Sequence, residues 1–497
     1  MPVPRRASSR RNTPDRAVTD LCSLPATTLR RLIGRRELSP VELVEASIER
    51  IETVDPAVNA MVTRAFDAAR AAAKRAEAEV GDDNGPLHGL PVAIKDLNAT
   101  KGIRTTWGSV LYAHHVPTED EGVVAAIRAA GGIVIGKTNT PEYGSGGNTR
   151  NDVFGPTGNP YDPQLTCGGS SGGAAVSLAT GMVPLATGSD FGGSLRTPAA
   201  FCGVVGFRPS AGLIPEESRV VGLSPFPVEG PMARNVADAH LLLTGMAFHD
   251  PADPFSKPVD PALVAPLRPA DLSRLRLAFS EDLGFAAVDP GIRGTFRQRL
   301  ARLAPRFAEA SEAAPPMQDA EDVFETLRGL FMVSSYGAIL KATPDRLGPN
   351  TRDNTERGLT LDVERIARAF AKQTRHYRAF NRFFRDFDVL ICPATSVSAF
   401  PHDLWYPAAV EGRSMTTYMT WLALTWGITM AQGVVCAIPC GQDAQGLPFG
   451  LQVVGPSGSD RKVLEIALAL EAAIAGEADF ILPPPDIDAL RLAPALV

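Results

Sequence analysis

Residues 167–207 hold only two charged side chains, Asp190 and Arg196, and carry two glycine-serine clusters, Gly168-Gly169-Ser170-Ser171-Gly172-Gly173 and Gly192-Gly193-Ser194. A stretch this poor in charge does not read as a linker, yet repeated glycine carries a backbone-entropy cost that ordinary packing does not justify. Glycine beside serine fits a backbone bent to bring N–H groups and a hydroxyl toward one reacting atom, which is what acyl transfer needs. A buried loop whose serines merely satisfy backbone groups is the plainer alternative. The flanking pattern looks like packed core. Residues 174–179 read as a short buried helix stopped by Gly181, and 183–186 as a strand whose Pro184 suits an edge or a strand start. Residues 194–201 read as a second helix with Pro198 near its first turn, which places Ser194 at a helix N-terminus where unpaired N–H groups favour an oxyanion.

A serine hydroxyl is a weak nucleophile near neutral pH and needs a group that accepts its proton. None of the seven histidines falls within 167–207. Lys95 is the other candidate: the apolar run 90–94 reads as a buried strand, and Lys95 stands at its carboxyl end, where catalytic groups of α/β folds collect. A solvated strand end is the alternative reading. Acting as a base requires lowering its ordinary pKa of about 10.4 to about 7, and burial in charge-poor surroundings would do that. Asp190 and Arg196 are expected to pair and brace the loop, since buried charges survive mainly in pairs. A substrate-binding Arg196 is the second reading.

Lys95, the run 168–173 and the stretch 188–203 together resemble the amidase signature family of Ser-cisSer-Lys hydrolases. The resemblance also covers 87–104, 131–143, 230–238 and 438–456, and is weakest before residue 25 and from about 250 to 387. It implies a single large α/β/α sandwich around a mixed, mostly parallel β-sheet. It implies Ser194 as nucleophile, Ser170 as a bridging serine preceded by a cis peptide bond, and Lys95 as the base. The backbone N–H groups of Phe191, Gly192, Gly193 and Ser194 would form the oxyanion hole, with Gly169, Asp190 and Arg196 as structural support. Tyr143, Phe191 and Trp421 are expected at the substrate. The implied reaction is hydrolysis of a carboxylic amide to carboxylate and ammonia or amine through an acyl-enzyme, with no cofactor and no metal. Lys95 would take the proton of Ser170 while Ser170 takes that of Ser194, and the reverse path would protonate the leaving amine.

Other readings compete. Residues 131–138 satisfy the phosphate-loop pattern with Lys137. Such a loop must follow a strand and open a helix, whereas 118–121 reads as a capping box starting a helix that ends near Gly131, and 133–135 as the strand itself. Residues 168–172 satisfy the nucleophile-elbow pattern, with Ser170 as nucleophile of an esterase and His249, His376 or His402 as base, but 162–166 makes a poor strand. Within the family the rival is the A-type component of a glutamine amidotransferase, which passes ammonia to a partner; the stretch 418–433 does not resemble the glutamine-recognition region of that component. A catalytically dead binding protein is disfavoured because Lys95, Ser170 and Ser194 are all present.

At 497 residues and 44% hydrophobic content the chain can bury a large core. A net charge of −6 argues against nucleic acid as a partner, and no apolar run reaches membrane-spanning length. The expected partner is a small-molecule amide, with a homodimer left open. Residues 1–17 read as a disordered basic tail, because Arg5-Arg6 and Arg10-Arg11 are followed by polar 12–15 rather than by the apolar core of an export signal. Residues 18–497 then form the amidase domain, with 250–388 as a variable helical wall of the substrate pocket. Cys22, Cys167, Cys202, Cys392, Cys436 and Cys440 lack metal-like spacing and read as reduced thiols of a cytoplasmic protein. The aromatic group Trp405, Tyr406, Tyr418, Trp421 and Trp426 reads as core or as a pocket for aryl or bulky apolar amides.

Overall fold

Ser39 caps the longest helix of the N-terminal layer, which follows the helix Ala26–Gly34. Its hydroxyl accepts the N–H of Val41 at 3.0 Å, Glu42 accepts the N–H of Ser39 at 3.0 Å, and Pro40 occupies the first position of the helix Pro40–Val58. Leu43, Val44, Ile48 and Ile51 are buried along it. In this computed structural model, residues 20–81 and 84–496 are described; the tail expected at 1–17 lies outside them.

Eleven strands make one sheet: β1 Met61–Arg64, β2 Pro91–Lys95, β3 Ile133–Thr138, β4 Leu185–Asp190, β5 Val205–Arg208, β6 Val228–Ala233, β7 Arg276–Phe279, β8 Glu309–Glu312, β9 Val389–Pro393, β10 Val434–Gln442 and β11 Pro448–Gly455. Their order is β1-β3-β2-β4-β6-β5-β10-β11-β9-β7-β8. The sheet is mixed, as expected, but parallel pairing does not dominate it. Parallel pairs are confined to β3-β2-β4 at one end and β9-β7-β8 at the other, and every other neighbouring pair runs antiparallel. A short connection accounts for one of these: β10 returns directly into β11, and a connection of that length can only join antiparallel strands.

Alternation along the strands feeds two cores. Val92, Ile94 and Val134 enter one, while Ala93, Ile133 and Ile135 enter the other with the helices Pro40–Val58, Phe66–Ala78 and Gly172–Ala179. Helices thus cover both faces, giving the α/β/α sandwich. The region 250–388 is largely helical but also supplies β7 and β8. No helix among the described residues is long and apolar enough to cross a membrane.

Three boundaries differ from those the sequence suggests. The capping box at 118–121 does not form, because the Glu121 carboxylate accepts the N–H of Ala99 at 3.0 Å and the hydroxyl of Ser218 at 2.9 Å; the helix runs Gly122–Ala129. Strand β4 begins only after Pro184. The helix following Ser194 is Arg196–Cys202, because the N–H groups of Gly193 and Leu195 turn to the carboxylate of Asp190 instead of starting helical bonds.

Candidate active site

The carboxyl ends of β2 and β4 and the amino end of β6 meet at one rim of the sheet, where Ser189 lies directly opposite Glu229 and Asp190 opposite Val228. Lys95, the last residue of β2, is fully buried there. Its backbone N–H donates to the Thr187 hydroxyl at 2.9 Å. Its Nζ lies 2.7 Å from Ser170 Oγ, 2.8 Å from Ser171 Oγ and 2.9 Å from Ser189 Oγ. Burial pushes the Lys95 ammonium down to about 7, against the opposing pull of Glu229 and Asp190. Nothing in the local sequence pattern marks Ser171 or Ser189 as neighbours of this amine.

Ser170 stands in the turn that opens the helix Gly172–Ala179, and the Gly169–Ser170 peptide bond is cis. Ser194 stands in the turn after β4, and its carbonyl accepts the N–H of Ser171 at 3.2 Å, which ties the two glycine-serine segments together. Ser170, Ser189 and Ser194 all line one pocket of about 260 Å³. Tyr143 and Phe191 line it too; Trp421 does not. Trp421 is buried in the core, stacked on Phe201 at 6.2 Å and edge-on to Phe400 at 5.6 Å, which corrects its assignment to the substrate. Trp426 stacks on Phe324 at 4.7 Å, so these aromatics form a packed layer behind the pocket.

The loop carrying Ser194 is braced by charge. Asp190 receives Arg196 through two nitrogens, at 3.0 and 2.9 Å, and Arg208 at 3.2 Å. Burial alone would raise its pKa; Arg196 and Arg208 outweigh burial and hold the carboxyl well below the usual carboxylate range. Arg196 also donates to the Thr425 carbonyl, Gln452 Oε1 and Thr429 Oγ1, so all five of its N–H donors are engaged and none remains for a substrate. Asp190 further accepts the Gly193 N–H at 2.9 Å, which removes that N–H from the expected oxyanion hole. The N–H groups of Phe191, Gly192 and Ser194 donate to no other group among the described residues.

Gly193 has a φ of 129°, and a Cβ added there would lie 2.2 Å from Thr425 Oγ1 and 2.7 Å from the Thr425 Cβ. Gly193→Ala is therefore expected to cost about 3 kcal/mol from backbone strain and overlap, measured as a lowered thermal midpoint with reduced turnover. An unchanged midpoint would contradict the packing.

Lys137 is no phosphate ligand. It lies within β3, and its Nζ donates to the Asn98 carbonyl, to Thr100 Oγ1 at 2.8 Å and to Thr105 Oγ1 at 3.0 Å. The elbow alternative also lacks its base, since no histidine is among the residues lining the pocket. Among the described residues no group of three or more His, Cys, Asp or Glu side chains is placed to hold a metal ion.

Fold and pocket together define an α/β amide hydrolase. The chain belongs to the amidase family: the Amidase profile matches residues 42–464. It is similar to an acylamidase of Rhodococcus erythropolis, 35% identical over 458 residues that make up 90% of this chain and 95% of that protein. It is equally similar to the A component of the glutamyl-tRNA(Gln) amidotransferase of Salinispora arenicola, 35% identical over 494 residues, 92% of this chain and 98% of that one. A solved structure of a bacterial aryl acylamidase of the amidase signature family superposes with a TM-score of 0.84 at 26% identity, covering 95% of this chain and 98% of the other.

Proposed function

We propose that this amidase hydrolyses small carboxylic amides with an aryl or bulky apolar portion, using Ser194 as nucleophile, Ser170 as proton bridge and Lys95 as base. The observation that carries this reading is the fully buried Lys95 amine 2.7 Å from Ser170 Oγ, beneath a pocket that Ser194 also lines. A neutral amine has two N–H donors and one lone pair. The Ser171 hydroxyl donates to the Ser189 carbonyl at 3.3 Å and accepts from Lys95 at 2.8 Å. The lone pair is left to Ser170 or Ser189. As Ser194 Oγ bonds to the carbonyl carbon, its proton passes to Ser170 Oγ while that of Ser170 passes to Lys95. The carbonyl oxygen takes up the negative charge and is met by the N–H groups of Phe191, Gly192 and Ser194. Collapse breaks the C–N bond, the proton returns along the same path to the leaving amine, and water then cleaves the acyl-enzyme with Lys95 again as base.

The apolar preference rests on Phe191, whose ring centroid lies 4.9 Å from that of Phe331 and 5.5 Å from that of Phe226. A panel of anilides, aliphatic amides, glutamine and aryl esters tests it; equal turnover of small aliphatic and aryl amides would remove the preference. Mass spectrometry after a fluorophosphonate probe is expected to find the label on Ser194, and a label on Ser170 would exchange the two roles. The amidotransferase relatives favour one second reading, glutamine hydrolysis for a partner protein. Glutaminase activity appearing only with such a partner would establish it. Six buried, unpaired cysteines suit a reducing, cytoplasmic location.

A further inference from the structure

One wall of the pocket is a single face of the helix Ala320–Ala342, presenting Arg328, Phe331, Met332, Ser335 and Tyr336. Arg328 is the only charge on that wall. It is 6% exposed, yet among the described residues no carboxylate lies within 4.0 Å of it. The other buried arginines of this pocket region are compensated: Arg196 and Arg208 share Asp190, and Arg219 has Glu216 and Asp253. Arg299, also without a carboxylate, gives its donors to two main-chain carbonyls and does not line the pocket.

The partners of Arg328 are neutral. Nε donates to Asn354 Oδ1 at 3.3 Å, Nη2 donates to the Tyr418 hydroxyl, and Nη1 donates to no group among the described residues. The guanidinium carbon sits 4.8 Å from the centre of the Phe191 ring and 5.4 Å from that of Tyr418. An arginine is never neutral in a protein, so a charge held this far from water calls for an anion to complete it. Aromatic faces stabilise the cation in part but do not engage its in-plane N–H groups, and those left over, on Nη1 and the second of Nη2, match a planar oxyanion.

We infer that Arg328 is a specificity-determining residue that binds a carboxylate on the non-reacting part of the amide substrate. Arg328 belongs to the helix wall and meets the ring of Phe191, not the N–H groups of the turn that carries Ser194, so the anion it binds is distinct from the oxygen that becomes charged during acyl transfer. The carboxylates that line the pocket, Glu121, Asp190, Glu216 and Glu229, all stand beyond ion-pair distance of Arg328, and Asp190 is already held by Arg196 and Arg208, so the charge of Arg328 is left for the substrate. Burial against aromatic rings strengthens such a pair relative to one in water.

This inference rests on the reading of the pocket as the acyl-transfer site. The test is kcat and KM for two matched pairs: succinanilate against butyranilide, with the charge on the acyl side, and 4-acetamidobenzoate against 4-acetamidotoluene, with the charge on the amine side. In the wild type at least one carboxylate member is expected to exceed its neutral partner about tenfold in kcat/KM, through KM. Arg328→Gln is expected to bring that ratio to near 1, and Arg328→Lys, which keeps the charge but loses the fork, to keep part of it. Rising salt is expected to reduce the preference in the wild type, a readout that needs no variant. Neutral members equal or favoured in both wild-type pairs, or a ratio that survives Arg328→Gln, overturns the inference while leaving the amidase reading intact. Failure to hydrolyse any of the four, with Ser194 unlabelled by a fluorophosphonate, removes both.

Discussion

Lys95→Ala is expected to lower kcat/KM for every amide substrate by about 10⁴-fold, the upper end of what a positioned base contributes. Lys95→Arg is expected to be as inactive. A guanidinium fills the site with a charge that cannot be given up, whereas the relay needs an amine that is neutral before the serine attacks. Lys95→Met, close in volume, separates chemistry from folding: it is expected to be inactive with a thermal midpoint no lower than that of the wild type, because burying the amine disfavours its charged form. With the amine lowered to about 7 by burial, wild-type kcat/KM is expected to fall about tenfold per pH unit below that point. The sign follows from the base being needed deprotonated. A profile flat from pH 5 to 8, or appreciable turnover by Lys95→Ala, would take Lys95 out of the mechanism.

The parts of this site that can be read in the sequence are those where local residue type dictates geometry. Glycine runs beside Ser170 and Ser194 announce tight backbone, a lysine after an apolar run announces a strand end, and Ser39 with Glu42 announces a helix start. What stays hidden depends on partners distant in the chain. Ser189 reaches Lys95 because the pleat of β4 puts it on the same side as Thr187, which binds the Lys95 backbone. Glu229 does carry a signal in the sequence: it is a lone acid in the apolar strand β6, buried with one carboxylate oxygen that has no hydrogen-bond partner among the described residues. Its pKa is raised to about 8 by burial and by Glu121 and Glu216.

Where expectation and structure part, the origin is the same. Glu121 has capping chemistry, but Ala99 and Ser218 use its carboxylate, and neither is near it in sequence. Trp421 is an aromatic in the right region, but composition does not say which side of a layer a ring faces, and it packs on Phe201. The family resemblance implies four adjacent N–H donors around Ser194; the strong acceptor on Asp190 takes one of them. A carboxylate held between two arginines accepts backbone donors readily, so the group expected to brace the loop also reshapes it.

That brace is where the largest loss of stability is expected. Asp190→Asn keeps the shape but removes the carboxylate that Arg196 and Arg208 share, leaving two buried guanidinium groups facing a neutral amide. Breaking a buried pair from one side costs about 3–5 kcal/mol, and here two cations lose one partner. Because Arg196 also holds the Thr425 carbonyl and Gln452, the disturbance reaches the segment packed on Gly193, and the serine loop is expected to lose its geometry together with the fold. The pH dependence gives a second check. A carboxyl whose folded pKa is depressed contributes stability that is complete above its unfolded pKa, about 3.9, and is lost as pH falls toward the folded value. Wild-type denaturant midpoints are therefore expected to decline below about pH 4, in part through Asp190, and the Asn variant to start lower at pH 7 and decline less steeply there. Parallel curves for the two proteins would mean that Asp190 is not the charge holding this loop.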